Sequence, residues 1–305
     1  GWALGQAGLK TKSRKGLAAL ILGANAPDID VFFQWAPWEP LATHRGFTHS
    51  LVGGFLILPL ILWGLLLARD RWQVRRGVTF ESGLEMNRRW LLALCYLGAL
   101  THPLLDLQTT YSVQLLSPFS GAWYHSDSLF IIDVWLWTLL AGSIAWSRWR
   151  EKKSNEWTRP VQGALLAAVA YFAFNLGLTG TAREALLRRA PNATYIFASP
   201  QPVLFWRRTM VWREGAMIGG AEFDPLGGNL GPSAQLRPDG MDGPLVRRAI
   251  AVNSRLRKFL YWSILPVATV ALNGCETTVY IGDARYGPDG GRRSRLYREG
   301  ALPTC

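Results

Sequence analysis

The run Leu51–Ala68 (LVGGFLILPLILWGLLLA) carries no charged residue, and it restricts what the chain can become more than any other feature. A helix needs roughly 17–25 mostly apolar residues to cross the hydrocarbon layer of a bilayer. This stretch is long enough, and Pro59 is a kink that membrane helices tolerate. Val161–Leu178 qualifies in the same way, and Leu129–Trp146 qualifies apart from Asp133. Gly16–Pro27 and Trp90–Leu105, the latter containing His102, are shorter candidates.

The placement of charge sorts the loops between these runs. Lys10, Lys12, Arg14 and Lys15 precede the Gly16 run, and Arg69, Arg71, Arg75, Arg76, Arg88 and Arg89 separate the Leu51 and Trp90 runs. Arg148, Arg150, Lys152, Lys153 and Arg159 separate the Leu129 and Val161 runs. By contrast, residues 28–50 hold only Arg45, and residues 106–128 hold no Lys or Arg. Basic loops stay in the cytoplasm, so this alternation predicts about five or six crossings with both short runs included. Only 18% of residues are charged, against about 25% in soluble domains, and the fifteen Trp suit membrane interfaces. The net charge of +12 is read as a topology signal and an attraction to anionic lipid. No nucleic-acid fold motif accompanies it, so nucleic acid is not an expected partner.

From about Gly180 the long apolar runs stop and Gly, Pro and Arg increase. Segments 193–200, 202–212, 258–272 and 277–286 are rich in β-branched and aromatic residues and are separated by turn signals. The expected fold is therefore an α-helical membrane bundle over residues 1–179 followed by a β-rich extracytoplasmic domain over 180–305. Residues 258–274 are read as a strand, with a further span as the alternative. No signal peptide is expected, because no basic segment leads into a cleavage site. Cys95 is read as inert packing, while Cys275 and Cys305 would pair only in an oxidising compartment.

The four histidines all precede residue 126. Polar clusters at the ends of apolar runs hold Asp28 and Asp30 (APDID), His44 and His49 (THRGFTHS), and His102 and Asp106 (THPLLD). His102 and Asp106 stand at i and i+4 and share a helix face. Imidazole and carboxylate are the usual ligands of zinc, manganese or iron, and all three clusters fall on the side opposite the basic loops. Asp28, Asp30, His44, His49, His102 and Asp106 are thus candidate ligands, with Asp28 and Asp30 either ligating or bridging. Thr48, His125 and Asp133 are candidates for the surrounding shell. Asp133, about a turn inside an apolar helix, needs a partner, for which the metal or a ligand histidine is expected. Asp30 or Asp127 would act as base. Arg45 would clamp an anionic substrate oxygen or, alternatively, pair with Asp28 or Asp30. Thr48 or Ser50 would cap the Leu51 helix. No GxSxG, GxxxxGK[ST] or HExxH motif is present.

At these residues the chain resembles the bacterial family of inner-membrane-associated metal-dependent hydrolases. The likeness rests on PDID at 27–30, HRGFTHS at 44–50, HPLLD at 102–106, and SPF at 117–119 followed by FIID at 130–133. It continues through SPQPVLFWRR at 199–208 and DARY at 283–286, and so covers most of the chain. The resemblance implies several membrane helices and a metal site. Members usually begin with a Pro-x-Thr-His segment whose histidine would add a ligand, and Gly1 falls just after that position. More distantly, the scattered His and Asp are similar to those of the zinc-dependent phospholipase C and single-strand nuclease group, which suggests phosphoester hydrolysis by analogy.

The expectation is a multi-pass protein of the bacterial inner membrane, with its site toward the periplasm. It would hydrolyse a phosphoester or lipid-linked substrate through water activated by a divalent metal, zinc foremost. A proton- or ion-coupled transporter, or a non-catalytic assembly protein with a structural metal, are the competing readings.

Overall fold

The computed structural model describes residues 1–33, 44–227, 229–231, 236–274, 276–287 and 297–303. They form two compact units, and the division falls after residue 174. The first comprises the described residues up to 125 together with 131–174. The second comprises residues 126–130 and those from 175 on.

The first unit is helical. Its elements are α1 (Trp2–Gln6), α2 (Gly16–Asn25), α3 (Leu58–Arg75), α4 (Arg88–Asp106), α5 (Val134–Lys152) and the first part of α6 (Arg159–Arg189). A π-helical stretch, Leu51–Ile57, runs directly into α3. Among the described residues, only Leu51–Arg75 (25 residues) and Arg159–Arg189 (31 residues) are helices long and apolar enough to cross a membrane. Their apolar side chains are mostly unburied by protein, as with Leu65, Leu166 and Val169.

The expected five or six spans are therefore corrected to two such helices. α2 has ten residues and reaches only about 15 Å. α4 has nineteen but begins at Arg88 and Arg89 and ends in Thr101, His102 and Asp106. The Leu129–Trp146 run is not helical throughout. Asp133 is the N-cap of α5, its Oδ1 accepting from Leu136 N at 2.9 Å, so residues 129–133 lie outside the helix. Asp133 is not a turn inside an apolar helix, and its Oδ2 accepts from Tyr171 Oη at 2.9 Å.

The basic turns gather at one end of this unit. Arg14 forks onto the buried carboxylate of Asp70 at 2.8 and 2.9 Å, and Lys10 bonds Glu151 Oε2 at 2.7 Å. Lysine and arginine also lie over indoles here: Lys10 over Trp157 at 4.3 Å, Arg76 over Trp72 at 4.8 Å and Lys153 over Trp149 at 4.1 Å. From this end α2 and α4 run side by side toward the His/Asp clusters. Gly98 makes their contact possible, because a Cβ there would meet the Leu20 carbonyl oxygen at 2.7 Å. Around it pack Ala19, Leu20, Leu91, Leu94 and Cys95, all fully or almost fully buried. Cys95 is free and buried, in keeping with a packing role. Cys275 and Cys305 lie outside the described residues.

The second unit is β-rich, as expected. β1 (Thr194–Pro200), β2 (Arg208–Glu214), β3 (Met217–Asp224), β4 (Asn229–Leu230) and β5 (Arg237–Pro238) form one antiparallel sheet. β6 (Pro266–Asn273), β7 (Glu276–Asp283) and β8 (Tyr297–Pro303) form another. Helices α7 (Pro244–Val252) and α8 (Ser254–Trp262) were not anticipated. The stretch 258–274 is therefore neither one strand nor a span. Its first half is amphipathic helix, burying Phe259 and Trp262, and strand β6 starts only at Pro266. Residues 202–207 likewise form no strand.

A Gly98→Val substitution should force α2 from α4, at about 1–3 kcal/mol for overpacking. A lowered thermal midpoint of the detergent-solubilised protein checks this, with Gly64→Val, which has nothing within 4 Å, as the control.

Candidate metal centre

The α2–α4 contact places the first ligand. His102, in the last turns of α4, has its Nδ1 2.7 Å from the Ala24 carbonyl oxygen of α2. Nδ1 therefore carries a proton that it donates to that oxygen, and Nε2 turns the other way. One turn on, Asp106 shares the face, its Oδ2 3.4 Å from His102 Nε2. The 3₁₀ turn Phe47–His49 then lies back against the start of the π-helical stretch. Gly54 is required there, since a Cβ would meet the Thr48 carbonyl oxygen at 2.4 Å. Ser50 caps that stretch, accepting from Gly53 N at 3.0 Å and donating to the Phe47 carbonyl at 2.7 Å. This turn buries His49 completely. The 3₁₀ segment Pro27–Phe33 following α2 supplies Asp28 and Asp30.

Four donor atoms then face one another. His49 Nε2 is 3.3 Å from Asp28 Oδ1 and 3.4 Å from Asp106 Oδ2. His102 Nε2 is 3.2 Å from Asp28 Oδ1 and 3.4 Å from the same Asp106 Oδ2. Protons on the imidazoles are one way to hold such a set, but charge-assisted N–H···O⁻ bonds close to about 2.7–2.9 Å. Donors around a tetrahedral zinc, each at 2.0–2.2 Å, stand about 3.3–3.6 Å apart. These four distances fall close to that range, and Asp28, His49 and His102 offer three donor atoms all within 4.8 Å of one another. Asp106 Oδ2 is moreover buried with no hydrogen-bond partner, a costly condition that a cation would relieve. Two imidazoles and two carboxylates are chemically suited to zinc, manganese or iron.

The protonation states agree with this use at His49 and Asp28 but not at His102, where burial is outweighed by hydrogen bonds to Asp106 and Asp28 that push the imidazole up to about 10, so that a metal would displace a proton there. Burial, foremost, holds the His49 imidazole below the ordinary histidine value, outweighing its hydrogen bond to Asp28 and the charge of Asp106. Burial pushes Asp28 upward, but its hydrogen bonds with His102 and His49 outweigh that and keep its carboxyl below the usual carboxylate range. Neutral imidazole and ionised carboxylate are the ligating forms.

Asp30 and His44 stand on the other edge of the His49 ring. Asp30 Oδ1 is 3.0 Å from His44 Nδ1, and Oδ2 accepts from Thr48 Oγ1 at 2.8 Å and lies 3.6 Å from His49 Nδ1. Asp30, His44 and His49 also offer three donor atoms within 4.8 Å. In this group, however, hydrogen bonds account for both Asp30 oxygens. Asp30 and Thr48 thus orient His49, a carboxylate–histidine arrangement that fixes tautomer and ring angle.

Arg45 bonds neither Asp28 nor Asp30. It pairs with Asp106 Oδ1 at 3.1 Å and donates to Thr109 Oγ1 at 2.7 Å, with its guanidinium over the Tyr111 ring at 4.5 Å. Its backbone is left-handed (φ 66°) and is held by the Gln114 N–H donating to the Arg45 carbonyl at 3.0 Å. A non-glycine residue there costs about 1–3 kcal/mol. Expected from sequence either to clamp a substrate oxygen or to pair with Asp28 or Asp30, Arg45 is paired with Asp106. The Arg45–Asp106 pair joins residues 61 positions apart, and no local spacing signalled it.

Asp127, expected with Asp30 as a candidate base, belongs to neither donor group. It is fully buried in the second unit, where Oδ2 accepts from Arg183 Nη2 at 2.7 Å and Ala198 N at 3.0 Å. His125, half-buried in a loop, belongs to neither donor group. Asp133 is used in capping α5.

Residues 1–182 match the YdjM inner membrane protein family, and the chain belongs to that family. No curated protein and no solved structure matches it. Membership places the protein in the inner membrane, consistent with its two long apolar helices.

Removing the Asp127 carboxylate (Asp127→Ala) leaves the buried Ala198 N–H without that acceptor and frees Arg183, whose side chain is 33% exposed and can turn to water, at a cost of about 1–3 kcal/mol. The variant should unfold at lower denaturant yet keep the wild-type metal content, which calorimetry or chemical melts with elemental analysis would check.

Proposed function

We propose that the protein is a membrane-bound metal-dependent hydrolase whose centre is formed by Asp28, His49, His102 and Asp106. The convergence of Asp28, His49 and His102, whose donor atoms all lie within 4.8 Å of one another, with Asp106 Oδ2 3.4 Å from both imidazole nitrogens, carries this reading. Charge supports it. Asp28, Asp30 and Asp106 bring three carboxylates against the guanidinium of Arg45, and a divalent cation would take the place of the proton that Asp106 and Asp28 otherwise hold on His102. A divalent ion held there would supply Lewis acidity toward water and a substrate oxygen, enough to bring the pKa of water to about 7.

The chain's own groups divide the remaining work. His102 is locked by the Ala24 carbonyl and His49 by Asp30 and Thr48. Arg45 holds Asp106 in place and draws off part of its charge. His44, bonded through Nδ1 to Asp30, meets the His49 ring edge-on at 5.4 Å. An imidazole oriented by a carboxylate is suited to hold and move a proton, and this role fits His44 better than ligation. The reaction class is hydrolysis of an ester, with a phosphoester favoured. The site lies at the opposite end of α2 and α4 from the basic turns, which by the positive-inside rule faces the periplasm.

The same four close edges favour a second reading, a closed tetrahedral site with a structural role, since structural zinc is bound by four protein ligands. An exposed Asp28 side chain, 43% open where His49 is sealed, speaks for the hydrolase.

Elemental analysis of the purified full chain should find about one divalent ion per protein, as four-ligand sites typically bind. His49→Ala and His102→Ala should lose it, while His44→Ala should keep it and lose ester hydrolysis. Equal, negligible metal in all four proteins would overturn the centre. Metal retained with no hydrolysis of any ester offered would favour the structural reading.

A further inference from the structure

The length of two helices limits how far the centre can stand from the basic end. Lys15 precedes α2, and Ala24, whose carbonyl holds His102, follows nine residues later. At 1.5 Å per residue this is about 14 Å. From Arg89 to His102 along α4 is thirteen residues, or about 20 Å. Tilt only shortens these distances when projected on the membrane normal. With the basic turns and their indole partners at one interface, the centre falls short of the far edge of a hydrocarbon layer of about 30 Å. Extended lysine and arginine side chains reaching for water set the first turns of α2 and α4 inside the layer, which carries the centre past the midplane into its outer half.

The mouth of the centre matches that depth. Asp28 is its most open ligand, and the turn carrying it also bears Ile29, Val31 and Phe32, all exposed, Phe32 at 77%. Leu104 and Leu105, next to Asp106 on α4, are exposed too. An apolar rim beside a set of ionised groups marks a surface that meets lipid.

We infer that the centre opens into the outer half of the bilayer and that its substrate is a membrane lipid, cleaved at an ester near the base of its headgroup. The substrate class rests on the hydrolase reading; the bilayer-facing mouth does not. A diffusing polar ester would have to cross the apolar rim, whereas a lipid of the outer leaflet approaches it from within the layer and brings its ester from the adjoining hydrocarbon edge.

The full chain in lipid nanodiscs, with Cys95, Cys275 and Cys305 replaced by Ala, tests this after introduction of Phe32→Cys or, as a reference, Ser154→Cys in the exposed turn after α5. A charged water-soluble maleimide should label Phe32→Cys about a hundredfold more slowly than Ser154→Cys, since charge enters hydrocarbon poorly. An uncharged apolar maleimide enters the hydrocarbon and should narrow that gap about tenfold, although the thiol there is less ionised, whereas burial within protein would slow both reagents alike. Equal labelling by the charged reagent would overturn the bilayer-facing mouth, whether or not the protein is a hydrolase. In parallel, wild-type protein receives long-chain phospholipid in the disc or soluble p-nitrophenyl phosphate. Cleavage of the phospholipid alone is expected. Faster cleavage of the soluble ester would overturn the lipid substrate, and cleavage of neither, with Phe32→Cys protected, would overturn the hydrolase reading and leave the mouth standing.

Discussion

At Gly98 the backbone of α4 meets the carbonyl of Leu20 without room for a methyl group, and the geometry of the centre follows from that contact. It brings Ala24 within reach of His102 Nδ1, which decides which imidazole nitrogen faces the ligands. A small shift between these helices would break that hydrogen bond and free the ring. Small residues that let membrane helices approach closely serve packing; here the same approach sets a tautomer.

Asp106 is the second pivot. One oxygen is neutralised by Arg45 and the other is turned toward two imidazoles. Burying a carboxylate without compensation is costly, and the guanidinium offsets only part of the charge in this cluster. The chain has accepted a left-handed arginine, a buried unbonded oxygen and a group of like charges in one place. Such costs concentrate where function requires them, whereas Asp127–Arg183 and Asp283–Arg285 are paired carboxylates of the second unit and read as structural.

The polar residues of the first unit are sorted along its helices. Basic side chains and their indole partners collect at one end, and carboxylates and imidazoles at the other. The two groups are separated by the length of α2 and α4.

Much of this was legible in the order of residues. The apolar runs at 51–68 and 161–178, the loops emptied of Lys and Arg, and the i, i+4 pairing of His102 with Asp106 all follow from periods and compositions that local physics imposes. Helix ends were not legible: whether Asp133 lies inside α5 or caps it depends on a hydrogen bond to Leu136 and another to Tyr171, and so the count of spans was overestimated. Roles within the cluster were also hidden. That Asp28, His49, His102 and Asp106 converge while Asp30 and Thr48 stand behind His49, and that Arg45 holds Asp106, are facts about atoms dozens of residues apart. Local sequence determined which residue types stand at the ends of which helices, because hydrophobic period and charge act locally. Only the tertiary structure decided which of them share a centre, because the crossing at Gly98 and the turn over Gly54 set distances that no spacing along the chain encodes.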